Sequence, residues 1–384
     1  MSFWGYPRPD GSVGSRNYVG ILATVTCSCD AARQISENVK GCALFTHYEG
    51  CGQTPSDINL VNRTLANLGR NPNLAGVLLV SLGCEQTAVD GVLNNIALSG
   101  KPVAKVVIQK IGGTIATVAE GSRIARQMVS DASRIRREEF DDSKLMFGAE
   151  CGGSDTTSGL GANPAIGAAL DSVIKNGGSG VFSETTEFIG AEHLLAKRAA
   201  SSKIGRRIIE ITERYEKRFL DARVDLRGTQ PGKGNIEGGL TTIEEKSLGA
   251  IAKGGTTSIQ QVYEYGERPE GNGLFIVDGP GHDSKSLTCL AAAGANVMFF
   301  STGRGTPVGF PFVPVLKVTA NPATYEHMKD NIDIYVDIAS ANNLEELGQV
   351  LFREALDVAS GKKTKSEILD QSSYGGIYIV GPQA

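Results

Sequence analysis

Long apolar runs are missing from this sequence. No stretch approaches the ~18 residues that a membrane-spanning helix needs. The N-terminus, MSFWGYPRPDGS, lacks the basic-then-apolar layout of a secretory signal. These two absences predict a cytoplasmic protein with no membrane contact. A dominant charge sign is also missing. Net charge is −4, with acids and bases interspersed, so there is no electrostatic reason to expect nucleic acid as a partner. Seven cysteines in 384 residues are an odd number and argue against a disulfide framework. Cys27, Cys51 and Cys84 form no C-x2-C pair, so zinc-ribbon spacing is absent. There is no P-loop and no G-x-S-x-G elbow. Gly303-x-Gly305 continues to Gly309, one residue off a dinucleotide fingerprint, and Pro307 and Pro311 oppose a helix there. No 20–50-residue repeat and no low-complexity tract occurs.

Glycine, by contrast, is abundant. It makes up 48 of 384 residues, an eighth of the chain against a usual ~7%. Many tight strand-to-helix turns follow from that. The length predicts two domains. Strand and helix patterns alternate from the start. Strands are expected at Tyr18–Val25, Ala43–Thr46, Val77–Leu82 and Pro102–Gln109. Thr54 then Pro55 is a cap-plus-first-turn signature for a helix to Leu68. The charged stretch Arg134–Asp142 reads as a helix end and linker, which sets domains of 1–140 and 141–384. The second domain repeats the pattern, with strands at Leu145–Gly148, Gly180–Ser183, Leu274–Val277, Val297–Phe300 and Val313–Val318. One long helix is expected over Ala191–Phe219 and a long loop over Asp221–Gly239. Thr242 and Glu245 form a capping-box pattern, and a helix near Leu344–Ala359 closes the domain. The fold class is α/β: two doubly wound, mostly parallel domains with an interdomain cleft.

Chemistry-bearing residues collect after strands. Cys27, Cys51 and Cys84 each follow one in the first domain. Brought together there, three thiolates suit iron and leave a coordination position open. Equally, they are small buried residues, as free cysteines often are. His47 sits in a glycine-bounded loop, as an acid/base group, a ligand or a turn-satisfying imidazole. Glu184 and Glu187 form a carboxylate pair for proton transfer, metal binding or helix capping. Thr302-Gly-Arg304-Gly offers a glycine-flanked arginine suited to a carboxylate. Asp155, Asp278 and Asn321 also lie just after strands.

Taken together, these segments resemble the altronate/galactarate dehydratase family. The matching pieces include Asp10–Gly14, Arg16-Asn-Tyr18, Cys27, His47–Gly52, Asn71-Pro-Asn73 and Leu82–Glu85. They continue through Glu150–Asp155, Ala162-Asn-Pro164, Ser183–Glu187, Gly238–Leu240, Glu245-Lys246, Thr302–Gly305 and Pro314–Lys317. The resemblance implies iron-dependent removal of water from a sugar acid such as altronate or galactarate, giving a 2-keto-3-deoxy acid. It makes Cys27, Cys51 and Cys84 family positions, with Cys151 a fourth thiol, for Fe2+ or a [4Fe-4S] cluster. Glu184 or Lys246 is the expected base, and His47 the group that protonates the leaving group. Ser154, Asp155 and Asn163 would hold hydroxyls, Asn235 and Thr302 would also contact the substrate, and Arg304 and Lys317 would lie at the carboxylate end.

Full-length members carry a small N-terminal domain of the antifreeze-like type, and this chain begins directly at the Gly5-Tyr6 segment. A separate small subunit, within a homo- or hetero-oligomer, is therefore expected. Ile236 stands where sugar-acid dehydratases tend to have lysine. That departure keeps open a related two-subunit activity, sulfite elimination from sulfolactate. A non-catalytic binding module, with the cysteines as core, is the remaining alternative.

Overall fold

The computed structural model of the 384-residue chain describes residues 1–341, 343–372 and 375–384. The chain opens on β1 (Ser2–Pro7) and β2 (Val13–Gly14), an antiparallel pair. Four parallel strands follow: β3 (Tyr18–Ala23), β4 (Cys42–Phe45), β5 (Leu74–Ser81) and β6 (Val103–Val107). Their order is β4-β3-β5-β6. Between and after them run α1 (Cys29–Glu37), α2 (Pro55–Gly69), α3 (Val89–Ala97) and α4 (Thr114–Ala132). All eight residues of β5 are buried, as expected for a central strand covered by helices on both faces. The expected cap is in place, with Thr54 Oγ1 accepting from the Asp57 N–H and Pro55 in the first turn.

The stretch read as a plain linker contains a strand. β7 (Glu138–Asp141) pairs antiparallel with β1, Phe3 opposite Phe140. Its exposed acidic residues hid the strand, because only alternate positions face Phe3. Seven parallel strands then form the larger sheet: β8 (Met146–Cys151), β9 (Ser179–Phe182), β10 (Ile259–Tyr263), β11 (Gly273–Val277), β12 (Val297–Ser301), β13 (Val315–Thr319) and β14 (Ile334–Tyr335). Their order is β10-β11-β9-β8-β12-β13-β14. The helices of this half are α5 (Asn163–Lys175), α6 (Glu192–Lys197), α7 (Ser202–Asp221), α8 (Ile243–Ile251), α9 (Asp283–Ala293) and α10 (Leu344–Ala359).

Three local readings change. The single helix over Ala191–Phe219 is two helices, because Ser201 turns extended and caps α7 by accepting from the Ile204 N–H. The loop over Asp221–Gly239 contains two short helical segments, Leu226–Thr229 and Lys233–Glu237. Glu245 does not close a capping box on Thr242; its carboxylate takes the Thr241 N–H at 2.7 Å instead.

In both sheets the winding direction reverses at a defined pair of strands. It reverses between β3 and β5 in the smaller sheet and between β8 and β12 in the larger. Ligands of open α/β sheets bind beyond the strand C-termini at such points. Cys27 and Cys84 follow β3 and β5. Cys151 ends β8 opposite Ser301 of β12.

Candidate active site

Side chains alternate across a strand, so Glu150 and Cys151 at the end of β8 point to opposite faces. Glu150 is fully buried and accepts a hydrogen bond from the Ser286 hydroxyl of α9. Burial, Glu184 and Asp283 push its carboxyl well above the usual range. Cys151 points the other way, into a buried ionic cluster. Its Sγ donates to Glu187 Oε2 at 2.9 Å and lies 3.1 Å from Lys253 Nζ. Lys253 Nζ also meets Glu184 Oε2 at 2.7 Å and Glu187 Oε2 at 3.4 Å. Lys246 Nζ meets Glu187 Oε1 at 3.2 Å.

The backbone sets this arrangement. Just past β9, Glu184 adopts left-handed geometry, φ +74°, a strain of about 1–3 kcal/mol for a residue with a Cβ. The turn lets its carboxylate accept the Cys151 N–H at 3.0 Å. Glu187 follows one helical turn later. Lys246 comes from α8, and Lys253 from the short turn after it.

Charge in this cluster is unevenly held. Burial pushes Glu184 up to about 8, with Glu187 adding to the rise and Lys253 opposing it. Burial would raise Glu187 too, but Lys246 and Lys253 outweigh it and hold it below the usual range. Burial opposes the Lys253 ammonium, yet the thiol and both carboxylates hold it firmly charged. Burial and the two carboxylates keep Cys151 a neutral thiol. The cluster is therefore a buried carboxyl of raised basicity beside two ammoniums. Its thiol and carboxylates lie within 4.8 Å of one another, a donor set that could hold a metal ion, although the Lys253 ammonium already sits among them.

Two cavities flank Lys246. One, of about 310 Å³, is lined by Ser154, Asp155, Ser158, Asn163 and Lys246 among others. The second, of about 300 Å³, is lined by Glu187, Gln230, Lys246, Ser247 and His282 among others.

The other sheet edge carries the remaining thiols. Cys27, Cys51 and Cys84 are all exposed and free. Main-chain bonds join their loops. Thr26 N–H donates to Glu49 O at 3.1 Å, and Gln86 N–H to Gly50 O at 2.9 Å. Gly50, at φ +106°, permits this approach, since a Cβ there would lie 2.5 Å from Thr24 O. The three sulfurs do not all fall within 4.8 Å of one another, and none joins Cys151 in a metal-ligand group among the described residues. Cys151 belongs to the other sheet and is engaged by Glu187 and Lys253.

Over 94% of this chain, 34% of residues are identical to altronate dehydratase of Escherichia coli (strain K12), covering 74% of that protein. Galactarate dehydratase (L-threo-forming) of the same organism is 35% identical over 94% of the chain and 73% of its own length. The (2R)-sulfolactate sulfo-lyase subunit beta of Chromohalobacter salexigens is 40% identical over 97% of the chain and 96% of its own length. Residues 142–379 match the D-galactarate/altronate dehydratase C-terminal family, and residues 5–133 the D-galactarate dehydratase/altronate hydrolase second-domain family. The chain belongs to the galactarate/altronate dehydratase family. It is a lyase by that membership.

Several residues expected to serve this dehydratase-family site have other work. His47 is buried, donates from Nε2 to Ala23 O at 2.9 Å and accepts the Glu49 N–H at Nδ1. Burial lowers it to about 4, so it is a neutral imidazole bracing the Cys51 loop rather than a proton donor. Lys317 is fully buried under Val308 O, 3.1 Å away, and burial lowers it to about 8. Asn163 is consumed by Ser301 Oγ and by Gly249 O. Asp155 accepts from Thr157, Ser158 and Asn321. Asn235 donates to Ser154 O at 2.9 Å, and Arg304 pairs with Glu237 on the surface. Thr302 Oγ1 accepts from the Gly305 N–H. These residues shape the loops at the β8/β12 edge. The sequence reading missed Lys253. It lies beyond α8 in an unremarkable Ala-Lys-Gly-Gly stretch, and only the buried carboxylates around it reveal its place.

Among the described residues, no helix is long and apolar enough to cross a membrane.

Proposed function

We propose that the chain is the catalytic subunit of a hydro-lyase. It would remove water from a sugar acid such as altronate or galactarate, giving a 2-keto-3-deoxy acid. The observation that carries this reading is the carboxyl of Glu184, raised to about 8 beside the Lys253 ammonium. Its carboxylate is the final acceptor of the proton next to the substrate carboxylate, reached through Glu187, which belongs to the same cluster and lines the adjoining cavity. Lys246 and Lys253 hold positive charge where the enolate develops. Burial strengthens both effects by excluding water.

Cys27, Cys51 and Cys84 are the proposed iron ligands. The test of fit is their donor chemistry and spread. Free thiols on three bonded loops suit iron. A single ion with thiolate bonds of about 2.3 Å needs sulfurs under roughly 4 Å apart, and these three do not form a group within 4.8 Å of one another, so one ion does not fit them and an iron–sulfur cluster is the group proposed. When bound, such a group would supply a Lewis acid with an open position. A separate small subunit and a cytoplasmic location complete the proposal.

Replacing Glu184 by Gln should lower kcat by about 10²–10⁴-fold. Base catalysis needs the deprotonated form. In the wild type, kcat/KM should therefore rise with pH up to a bend near 8 and fall tenfold per unit below it. A flat profile across that range would remove Glu184 as the base.

A second reading is sulfite elimination from sulfolactate. It is supported by the sulfo-lyase subunit, which this chain covers over 96% of its length, and by exposed Ile236, which offers no cation. Both reactions remove the proton beside the carboxylate and expel a group from the next carbon. Assaying keto-acid formation against sulfite release separates them.

A further inference from the structure

Of the five residues in the ionic cluster, Glu187 and Lys246 retain the most exposure, with side chains at 8% and 16%. Glu184 and Lys253 are sealed, at 1% and 0%. Glu187 and Lys246 both line the second cavity, whereas only Lys246 lines the first. The polar groups of the two cavities also differ. In the first, Asp155, Ser158 and Asn163 are already bonded within the protein. In the second, Ser247 Oγ is wholly buried and has no partner among the described residues. Gln230 accepts from Lys246 Nζ through Oε1, at 3.4 Å, and its amide N–H groups make no bond there. His282 uses Nδ1 towards Ser284, which leaves Nε2. A buried hydroxyl without a partner is destabilising, so a ligand that satisfies it is favoured.

We propose that this second cavity is the substrate chamber and that Gln230, Ser247 and His282 are its positioning residues. This rests on the β-elimination reading of the Glu184 cluster. Lys246 and His282 take the acid group. Ser247 Oγ and the Gln230 amide bind a second oxygen of the molecule. Donors predominate in this lining, so the fitting ligand is acceptor-rich: a short hydroxy acid with a second oxygen-bearing group. Phe219, Leu226 and Ile243 supply the apolar part of the lining.

The test compares Ser247→Ala and Gln230→Glu with wild type. It measures kcat and KM on a panel of short hydroxy and sulfo-hydroxy acids, calorimetric binding of the same acids, and the melting temperature. Ser247→Ala removes an unbonded hydroxyl and improves helix propensity, so its melting temperature should not fall. Its KM for the preferred acid should rise about three- to tenfold, the worth of one hydrogen bond, with kcat largely kept. Gln230→Glu should raise KM more, in a salt-sensitive manner. Its added carboxylate repels the acid, and salt screens that repulsion.

Turnover by wild type with KM unmoved in both variants would overturn the chamber and leave the β-elimination reading intact. No turnover by wild type, with binding that Ser247→Ala weakens, would overturn the reaction and leave the chamber. Neither turnover nor binding would overturn both.

Discussion

Lys253 is the cation at the centre of the buried ionic cluster. Its ammonium is fully buried and touches Glu184, Glu187 and Cys151 within 3.4 Å. Removing one partner of a buried ion pair costs about 3–5 kcal/mol, because the charge left behind is uncompensated. Lys253→Met should therefore lose stability on that order in denaturant unfolding. Lys246→Met, at a partly exposed position, should lose far less stability but most of its kcat. Equal stability losses would mean that Lys253 is not the cluster's counter-ion. At this scale the sequence was only partly informative. Glu184 stood out because it follows a strand and is followed three residues later by a second acid. Lys253 did not, because its role comes from burial between elements distant in sequence. His47 and Lys317 are likewise polar residues near strand ends, and their partners are backbone groups that no sequence pattern displays.

At the level of elements, the placement of the strand-following loops was legible. β3, β5, β8, β9, β11, β12 and β13 lie within two or three residues of where β-branched runs and glycine turns put them. The edge and two-sided strands β1, β7 and β10 were not read. β7 is acidic on its exposed side, and β10 carries two glutamines. Their strand state is set by the neighbours they pair with. The Cys27, Cys51 and Cys84 loops are joined by main-chain bonds at Glu49 and Gly50, which supports the proposal that the thiols act together. Anaerobically purified wild type should contain iron and sulfide. Cys84→Ala should lose both and its activity, with little change in melting temperature, since the thiol is exposed. Full activity in iron-free protein would sink the metal role.

Across the whole molecule, two parallel sheets each reverse their winding once. One reversal carries thiols and the other carries the buried acid–lysine cluster. The N-terminal end of α9 and the last residues of the chain run between them. Burial raises the Glu49 carboxyl in the Cys51 loop, and Lys285 of α9 opposes that rise. Tyr378 stacks on Tyr215, with ring centroids 6.0 Å apart, beside the second cavity. Further along, Val380 and Gly381 donate to Asp57, and the Ala384 N–H reaches Gly52 O beside Cys51. The tail thus spans from the wall of the second cavity to the thiol loops, a contact invisible to local pattern because its partners lie more than 300 residues apart.

The central claim is that the carboxyl–lysine cluster removes the proton beside a substrate carboxylate. It is tested most directly by turnover of an accepted hydroxy acid deuterated at that carbon, followed by NMR. The account predicts loss of the deuterium in step with keto-acid formation, a primary isotope effect, and absence of both in Glu184→Gln. Keto acid carrying the deuterium on the neighbouring carbon, the mark of a hydride shift, or turnover with no primary isotope effect would contradict it.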